Sequence, residues 1–535
     1  MELNLAVGLD IGTTKIVAMI GRKNEYGKVE ILGIGKSKSL GVHRGVVNNI
    51  TQTIQSIQQA VQEAEVAADM KIEDVTVGIA GQHIRSLQHS DYITRLNSET
   101  VIDEEDIDRL INQVHKLVML PGEEIIHVLP QEYKVDGQAE IKEPIGMYGG
   151  RLEANFHVVV GQVSSIRNIG RCVQSSGLNL EGITLEPLAS ANAVLSQEEK
   201  EAGVALIDIG GGTTDLAIFR DGIIRHTAVI PFGGNVITED IKEGCSIIEK
   251  QAELLKIKFG SAWPGENKDN EIVSIPGLRG RDPKEITLKN LSKIIHARVV
   301  EIVEQVYVEI KNYGHEEQKK KLIAGIVLTG GGSQLKHLKQ LVEYITGMDT
   351  RIGYPNEHLA GDSDDDVTSP LYATAVGLVL DGLKRQERNK TEQQEQVAGE
   401  IEISVEEELK EKPSDFKRYE EKLKQATFNY NRTEGYSSKG KHSTAKKFYN
   451  KSESLCEDAL EILQEILHYD SSLRVWFDRD INFEVGSDLS ADIVSLPRLV
   501  TSRSHEKQKE DSRITSKQNV KLSVVERAAF NIGRG

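Results

Sequence analysis

Two short runs, one in each half of the clearly patterned part of the chain, carry the same order of chemistry-bearing residues. Gly8–Gly21 reads GLDIGTTKIVAMIG and Leu206–Gly222 reads LIDIGGGTTDLAIFRDG. Each is an apolar strand-like run, an aspartate, an apolar residue, glycine and then a Thr-Thr pair that opens a second apolar run. Glycines let backbone amides approach phosphate oxygens, threonine hydroxyls add donors, and a carboxylate at a strand end can hold hydrated magnesium against those phosphates. Asp10 and Asp208 are therefore the expected magnesium residues, acting through water. Gly12, Thr13, Thr14 and Lys15 would lie on one side of a triphosphate and Gly210, Gly211, Gly212, Thr213 and Thr214 on the other. One such run would serve equally well as a β-hairpin turn, where Gly and Thr are ordinary. Two in the same register point to a duplicated fold whose loops face each other across a cleft.

A third glycine cluster, IVLTGGGSQLKHL at Ile326–Leu338, again reads as a strand followed by a helix. Gly330, Gly331 and Gly332 would let the backbone pack close to a purine and its ribose, with Ser333 or Gln334 near the helix start. Alone, the pattern would fit a dinucleotide-binding turn; after two Asp-Gly loops it reads as an adenosine site, so ATP and magnesium are the expected cofactors. In this order the three loops resemble those of the actin, heat-shock-chaperone and sugar-kinase superfamily. Glu186, in LEPLASANAVL, resembles the Glu-Pro segment that lies beside the attacking water in the chaperone ATPases. Two readings of it stand: a carboxylate that orients water, or a helix-start Glu-Pro that stabilises its own first turn.

The elements that must position these loops alternate β-branched runs with amphipathic stretches, the pattern of an α/β protein with parallel or mixed sheets. Leu5–Asp10, Val204–Asp208, Leu216–Phe219 and Ile326–Thr329 read as strands. Ile50–Ala68 reads as a helix with Ile50, Ile54, Ile57, Val61, Ala64 and Ala68 on one buried stripe.

Further strings resemble the FtsA family of bacterial cell division proteins in particular, over residues 5 to 384. GVHRGVV at Gly41–Val47 is similar to the family's turn before the first long helix, and VTVGIAGQHIR at Val75–Arg85 to the strand leading into its division-specific subdomain. HVLPQEYKVDG at His127–Gly137 and EPIGMYGGRLE at Glu143–Glu153 resemble segments of that subdomain. PFGGNVIT at Pro231–Thr238, AELLKIKFG at Ala252–Gly260 and IIHAR at Ile294–Arg298 continue the likeness. The resemblance implies that Glu253 and Lys256 lie near the adenosine, and Gly233 and Gly234 near the ribose and phosphates. Without it, Glu253 and Lys256 would read as an i,i+3 pair on an exposed helix face.

What the resemblance further implies is an actin-like (ribonuclease H-like) duplicated α/β fold with two lobes around a nucleotide cleft. Residues 1–83 with 164–199 and 365–384 would form the first lobe, 84–163 the inserted subdomain, and 200–364 the second lobe, with 244–304 as its smaller part. The implied function is a cell division adaptor. ATP binding supports self-association into actin-like protofilaments, the second half binds the C-terminal tail of FtsZ, the inserted subdomain helps recruit later division proteins, and the whole is held peripherally on the cytoplasmic face of the membrane at the division site. Hydrolysis would be weak at most. A pilus-assembly ATPase with similar loops and a superfamily kinase are the alternatives.

Composition limits the rest. Lys and Arg number 65 against 82 Asp and Glu, a formal charge of −17, which argues against a general nucleic-acid binder because such binding releases counterions from basic surfaces. Cys172, Cys245 and Cys456 fall in no disulfide, zinc or redox spacing. No run approaches the roughly 20 apolar residues needed to span a bilayer, so membrane contact is expected to be peripheral. Residues 385–414 are Gln/Glu-rich and read as an acidic linker. In 415–430, Asp415–Phe428 places Phe416, Tyr419 and Leu423 on one narrow face of a short amphipathic helix. Membrane contact and solvated or partner packing are equal readings of it. Residues 431–535 form an unassigned extension, helix-like at Ala459–Leu467 and strand-like at Leu473–Phe477 and Ile493–Leu496.

Overall fold

The structure is a computed structural model that describes residues 5–95, 97–268, 270–277, 282–317, 320–356, 358–360, 367–388 and 390, with Lys422 and Gln425. It opens with an antiparallel meander, β1 (Leu5–Ile11), β2 (Lys15–Lys23) and β3 (Val29–Lys38), followed by a two-rung hairpin, β4 (Val42–His43) and β5 (Val46–Val47). Helix α1 (Ile50–Ala68) leads to β6 (Asp74–Ile79), which pairs in parallel with β1. A separate sheet then intervenes: β7 (Ile84–Thr94), α2 (Glu104–His115), β8 (Glu123–Val135), β9 (Gln138–Ile141) and β10 (Arg151–Gln162), with strand order β7-β10-β8-β9. Helix α3 (Val163–Ser175) returns the chain to β11 (Asn179–Leu185), parallel to β6, and completes the first sheet as β11-β6-β1-β2-β3.

The second half repeats this plan. After α4 (Glu186–Val194) and α5 (Gln197–Ala202) comes another antiparallel meander, β12 (Val204–Ile209), β13 (Thr214–Arg220) and β14 (Ile223–Ile230). Then follow α6 (Gly234–Cys245), α7 (Glu249–Phe259), the ribbon β15 (Ile272–Ile275) with β16 (Lys284–Thr287), and α8 (Leu288–Tyr313). Strand β17 (Ile326–Thr329) pairs in parallel with β12, and after α9 (Leu338–Thr346), β18 (Thr350–Ile352) pairs in parallel with β17. The order β14-β13-β12-β17-β18 has the topology of the first sheet, so the duplication expected from the two loops is present in the strand order. The central strands β1 and β12 are buried on both faces, which is why their sequences run apolar without alternation. The four strand-like runs foreseen from sequence all form, three of them longer by one or a few residues.

Helix α1 has the expected limits, capped by Asn49, whose side chain accepts from the Gln52 amide at 3.1 Å. Its buried face differs from the expected stripe. Thr53, Ser56, Ile57, Ala60, Val61 and Ala64 are buried, while Ile50, Ile54 and Ala68 are half-buried. Small residues win because β3 brings bare backbone against the helix: a Cβ on Gly35 would lie 1.8 Å from the Ala60 carbonyl oxygen. Ser37 also donates to the Ser56 carbonyl at 2.6 Å.

Between the two five-stranded sheets lie α4 and a helix over residues 373–387. One apolar cluster joins Ala6, Val17 and Met19 of the first sheet to Leu206 and Ala217 of the second through Ala191, Val194, Val376 and Val379. The two helices cross with backbone on backbone, since a Cβ on Gly377 would lie 1.9 Å from the Ala189 carbonyl oxygen. The inserted sheet has its own core around Phe156, Leu110 and Leu152 and holds both lobes through β8. His127 Nε2 accepts from the Leu185 amide at 3.1 Å, and Gln131 donates to the Ile224 carbonyl at 2.7 Å. The terminal helix continues past Lys384 through Glu387. The remainder of 385–414, the helix expected in 415–430, and the elements expected in 431–535 lie outside the described residues, isolated positions aside.

The helix crossing predicts opposite outcomes for two glycine-to-alanine changes. Gly377→Ala forces a methyl into a backbone carbonyl and should lower unfolding stability by about 1–3 kcal/mol. Gly170→Ala in α3, where the nearest atom to an added Cβ is Leu180 Cδ2 at 3.8 Å, should raise it by up to about 1 kcal/mol. Denaturant unfolding of the two variants gives both values, and equal effects would reject the packing described.

Candidate functional site

The loop joining β1 to β2 and the loop joining β12 to β13 touch each other. A Cβ on Gly211 would lie 1.9 Å from Thr14 Oγ1, and one on Gly212 would lie 2.5 Å from Thr13 Oγ1. The two Thr-Thr/Gly segments read from sequence are thus brought face to face, glycine against hydroxyl, and any side chain on these glycines would push them apart. Asp10 and Asp208 occupy matching penultimate positions on β1 and β12 and share one electrostatic environment: Asp208 and Lys15 both act on Asp10, and Lys15 acts on Asp208.

That environment is short of positive charge. Asp10, Asp208 and Asp215 are each at most 7% exposed. Burial pushes the Asp10 carboxyl up to about 6, with Asp208 adding to the rise and Lys15 opposing it. Burial and then the neighbouring Asp208 push Asp215 up to about 8, against one stabilising hydrogen bond from Thr213 Oγ1 at 3.1 Å. Glu186 rises well above the ordinary carboxylate range through burial and the combined charges of Asp10, Asp215 and Asp208. Asp208 also rises by burial, partly offset by Ser190 at 2.6 Å and Thr374 at 3.3 Å, both donating to Oδ2. The ammonium of Lys15 is itself lowered by burial. It donates to the Leu371 carbonyl at 2.5 Å and lies 4.3 Å from the Tyr372 ring centroid. This partly committed cation acts on Asp10 and Asp208, while Asp215 and Glu186 feel the charge of neighbouring carboxylates.

A magnesium ion fits this donor set. The oxygens are hard ligands, and Asp215 Oδ1 is buried with no hydrogen-bond partner. Among the described residues no three His, Cys, Asp or Glu side chains cluster closely enough to bind a metal by themselves. That arrangement suits magnesium, which usually keeps several waters and takes one or two carboxylates plus substrate phosphates.

The other sequence-derived residues fall around the same loops. Gly233 caps α6, and the first α6 amides, Gly234 and Asn235, donate to the Gly210 and Gly211 carbonyls at 2.9 and 2.8 Å, so this turn braces the second loop from behind. Lys256 on α7 pairs with Glu253 at 2.7 Å and donates to the Gly234 carbonyl at 2.8 Å, while Thr238 links to both. Glu253 and Lys256 are therefore tied to the α6 turn rather than paired on an isolated helix face. The third cluster departs from expectation. Gly330, at φ 79°, opens a short 3-10 turn over Gly331–Gln334, and α9 starts only at Leu338. The Ser333 hydroxyl is buried and donates to the Gly330 carbonyl at 2.7 Å. Gly330 still packs against the site, for a Cβ there would lie 2.2 Å from Asp208 Oδ1. Glu186 begins α4 with Pro187 behind it and packs its Cγ over Gly78.

Sequence reasoning missed Asp215, although it ends the quoted GGGTTD run, because it sits inside an apolar strand as the cross-strand partner of Asp208. Ser190 and Thr374 carried no signal, being single hydroxyls in helical stretches. Asp215 gives a pH-dependent prediction. A carboxyl whose folded pKa lies above its unfolded value stabilises the fold fully below about pH 4 and loses that contribution as pH rises through about 8. In EDTA, Asp215→Asn keeps an acceptor for Thr213 and should flatten this fall, gaining about 1–3 kcal/mol at pH 8. Thermal unfolding across that range checks it, and an unchanged profile rejects the assignment.

Comparison with known proteins agrees with this architecture. The family model described as "Cell division protein FtsA" matches residues 205–377, and the one described as "SHS2 domain inserted in FTSA" matches residues 81–160, which hold the intervening sheet up to the last two residues of β10. The cell division protein FtsA of Pseudomonas aeruginosa is 41% identical over 382 residues, covering 71% of this chain and 90% of that protein. That of Escherichia coli K12 is 33% identical over 404 residues, covering 75% and 95%. Among solved structures, the PilM-PilN type IV pilus biogenesis complex is similar in fold, with a TM-score of 0.53 at 16% identity over 71% of this chain and 98% of that one. The fold is the actin-like duplicated α/β fold, and the chain belongs to the FtsA family of cell division proteins.

Proposed function

We propose that this chain binds ATP with magnesium between the β1–β2 and β12–β13 loops and works as a nucleotide-dependent adaptor in cell division. The observation that carries the reading is the direct apposition of Thr13 and Thr14 on Gly212 and Gly211, beside buried Asp10, Asp208 and Asp215 and the half-buried Glu186. Glycine-hydroxyl cradles on two sides of a cleft suit a chain of phosphates, and the excess carboxylate below them suits the cation that accompanies it. Asp10 and Asp208 would hold the magnesium through water with Asp215 beside them, and when bound the ion would supply the charge that neutralises both the phosphates and these carboxyls. Lys15, Thr13 and Thr14 donate from the first lobe and the amides of Gly210–Thr214 from the second. The α6 turn with Glu253 and Lys256, together with Gly330–Ser333, provides the surface for the ribose and base. Burial and then the charges of Asp10, Asp215 and Asp208 raise the proton affinity of Glu186, and cationic charge entering the cleft would oppose that rise and favour the carboxylate form that can orient water. Hydrolysis is correspondingly slow, and ATP acts chiefly by favouring a closed, self-associating state.

On this reading the chain assembles into protofilaments, binds the FtsZ tail through the second lobe, and presents the inserted sheet to later division proteins. Attachment to the membrane would be peripheral, since no helix among the described residues is long and apolar enough to cross a bilayer. The pilus-assembly alternative has only likeness of fold behind it, whereas the sequence relatives are division proteins.

Asp208→Ala should weaken magnesium-dependent ATP binding by about 10–100-fold and reduce polymerisation with it, as read by calorimetry and pelleting. Unchanged nucleotide affinity would remove Asp208 from the site. Co-sedimentation of the full chain with lipid vesicles and FtsZ, with and without ATP, tests the adaptor role, and failure to bring FtsZ to vesicles under either condition would overturn it.

A further inference from the structure

The hairpin inside GVHRGVV is the one quoted string near the cleft that the phosphate clamp does not use. Strands β4 and β5 are joined by Arg44 at φ 49° and Gly45 at φ 74°, two successive left-handed residues of which only the second is a glycine. A long side chain is rare in that backbone region, and the surroundings hold this one there. The Gly45 amide donates to Thr13 Oγ1 at 3.1 Å. A Cβ on Gly45 would lie 2.5 Å from the Ala80 carbonyl oxygen, and one on Gly212 would lie 2.9 Å from Arg44 Cα. A hairpin of the first lobe is thus wedged against both loops of the clamp.

From that position the Arg44 guanidinium reaches the second lobe and stands 5.8 Å from the Phe232 ring centroid, within the range of a cation–π contact. Phe232 is itself fixed, its carbonyl accepting from Thr214 Oγ1 at 2.8 Å. By contrast, three arginines of the second lobe are spent on carboxylates: Arg225 on Glu132, Arg298 on Asp240 and Arg351 on Glu199. Arg44 forms no ion pair among the described residues, and its guanidinium makes no hydrogen bond there. Lys15 is occupied by the Leu371 carbonyl and the Tyr372 ring. A planar, permanently charged fork, oriented by an aromatic ring and lacking a counter-charge beside two anion cradles, is suited to bidentate contact with phosphate.

We propose that Arg44 reads the terminal phosphate of the bound nucleotide and so distinguishes a triphosphate from a diphosphate, an inference that rests on the phosphate-clamp reading above. Its test is calorimetric titration of the full chain with ATP and with ADP, both with magnesium, in the wild type, Arg44→Asn and Arg44→Lys. Asparagine tolerates left-handed backbone, so the hairpin keeps its turn, and the thermal midpoint verifies this. Arg44→Asn should lose ATP affinity by on the order of 10–100-fold with ADP affinity unchanged, and Arg44→Lys, which keeps the charge without the fork, should fall between. Equal losses for both nucleotides, or no loss for ATP, would overturn the role of Arg44 and leave the clamp standing. Failure of the wild type to bind either nucleotide would overturn the clamp itself and this inference with it. Should Arg44→Asn unfold, the same ATP-against-ADP comparison is made on Arg44→Lys.

Discussion

Burial of three aspartates, with the half-buried Glu186 beside them and the Lys15 ammonium opposing the charge of Asp10 and Asp208, is the constraint around which the cleft is organised. Asp10, Asp208, Asp215 and Glu186 come from strands and a helix start in different parts of the chain, and burial together with one another's charge raises their proton affinities. A protein without use for cations would gain stability by replacing such groups with apolar ones. On the proposed function, keeping them suits the cleft to a ligand that brings its own positive charge. The surrounding hydroxyls of Ser190, Thr213 and Thr374 hold Asp208 and Asp215 in place without neutralising them.

The duplicated topology explains how two such groups come to face each other. Each sheet carries an aspartate one residue before the end of its first strand and turns through small residues, and a shared layer of α4 and the 373–387 helix holds the two sheets together. The halves then diverge where their tasks differ. The second loop has three glycines and can lie flat against the hydroxyls of the first, while the first carries Lys15, which the second lacks.

Much of this was legible in the chain itself. The paired Asp-Gly loops, the strands that lead into them and the limits of α1 all come from local pattern, because a strand buried on both faces and a capped amphipathic helix leave strong periodic marks. What failed to show was decided by contacts distant in sequence. The buried face of α1 follows the bare backbone of β3 rather than the positions of the largest side chains. The turn after β17 coils as a 3-10 segment because Gly330 adopts positive φ beside Asp208, which no local rule foretells. Asp215 was hidden between Thr214 and the continuous apolar run Leu216–Phe219 of β13, so that its cross-strand pairing with Asp208 is what reveals its place in the cleft.

Strand β8 of the inserted sheet grips the end of β11 through His127 and the edge strand β14 through Gln131. These grips sit within a few residues of each other on one rigid strand, yet their partners belong to opposite halves of the molecule. The strand therefore behaves as a caliper: any widening or narrowing of the gap must be met by one jaw letting go or by the whole inserted sheet tilting. The Leu185 jaw is immediately adjacent to Glu186, so a displacement of Glu186 that carried the end of β11 with it would strain the His127 contact and load the inserted sheet.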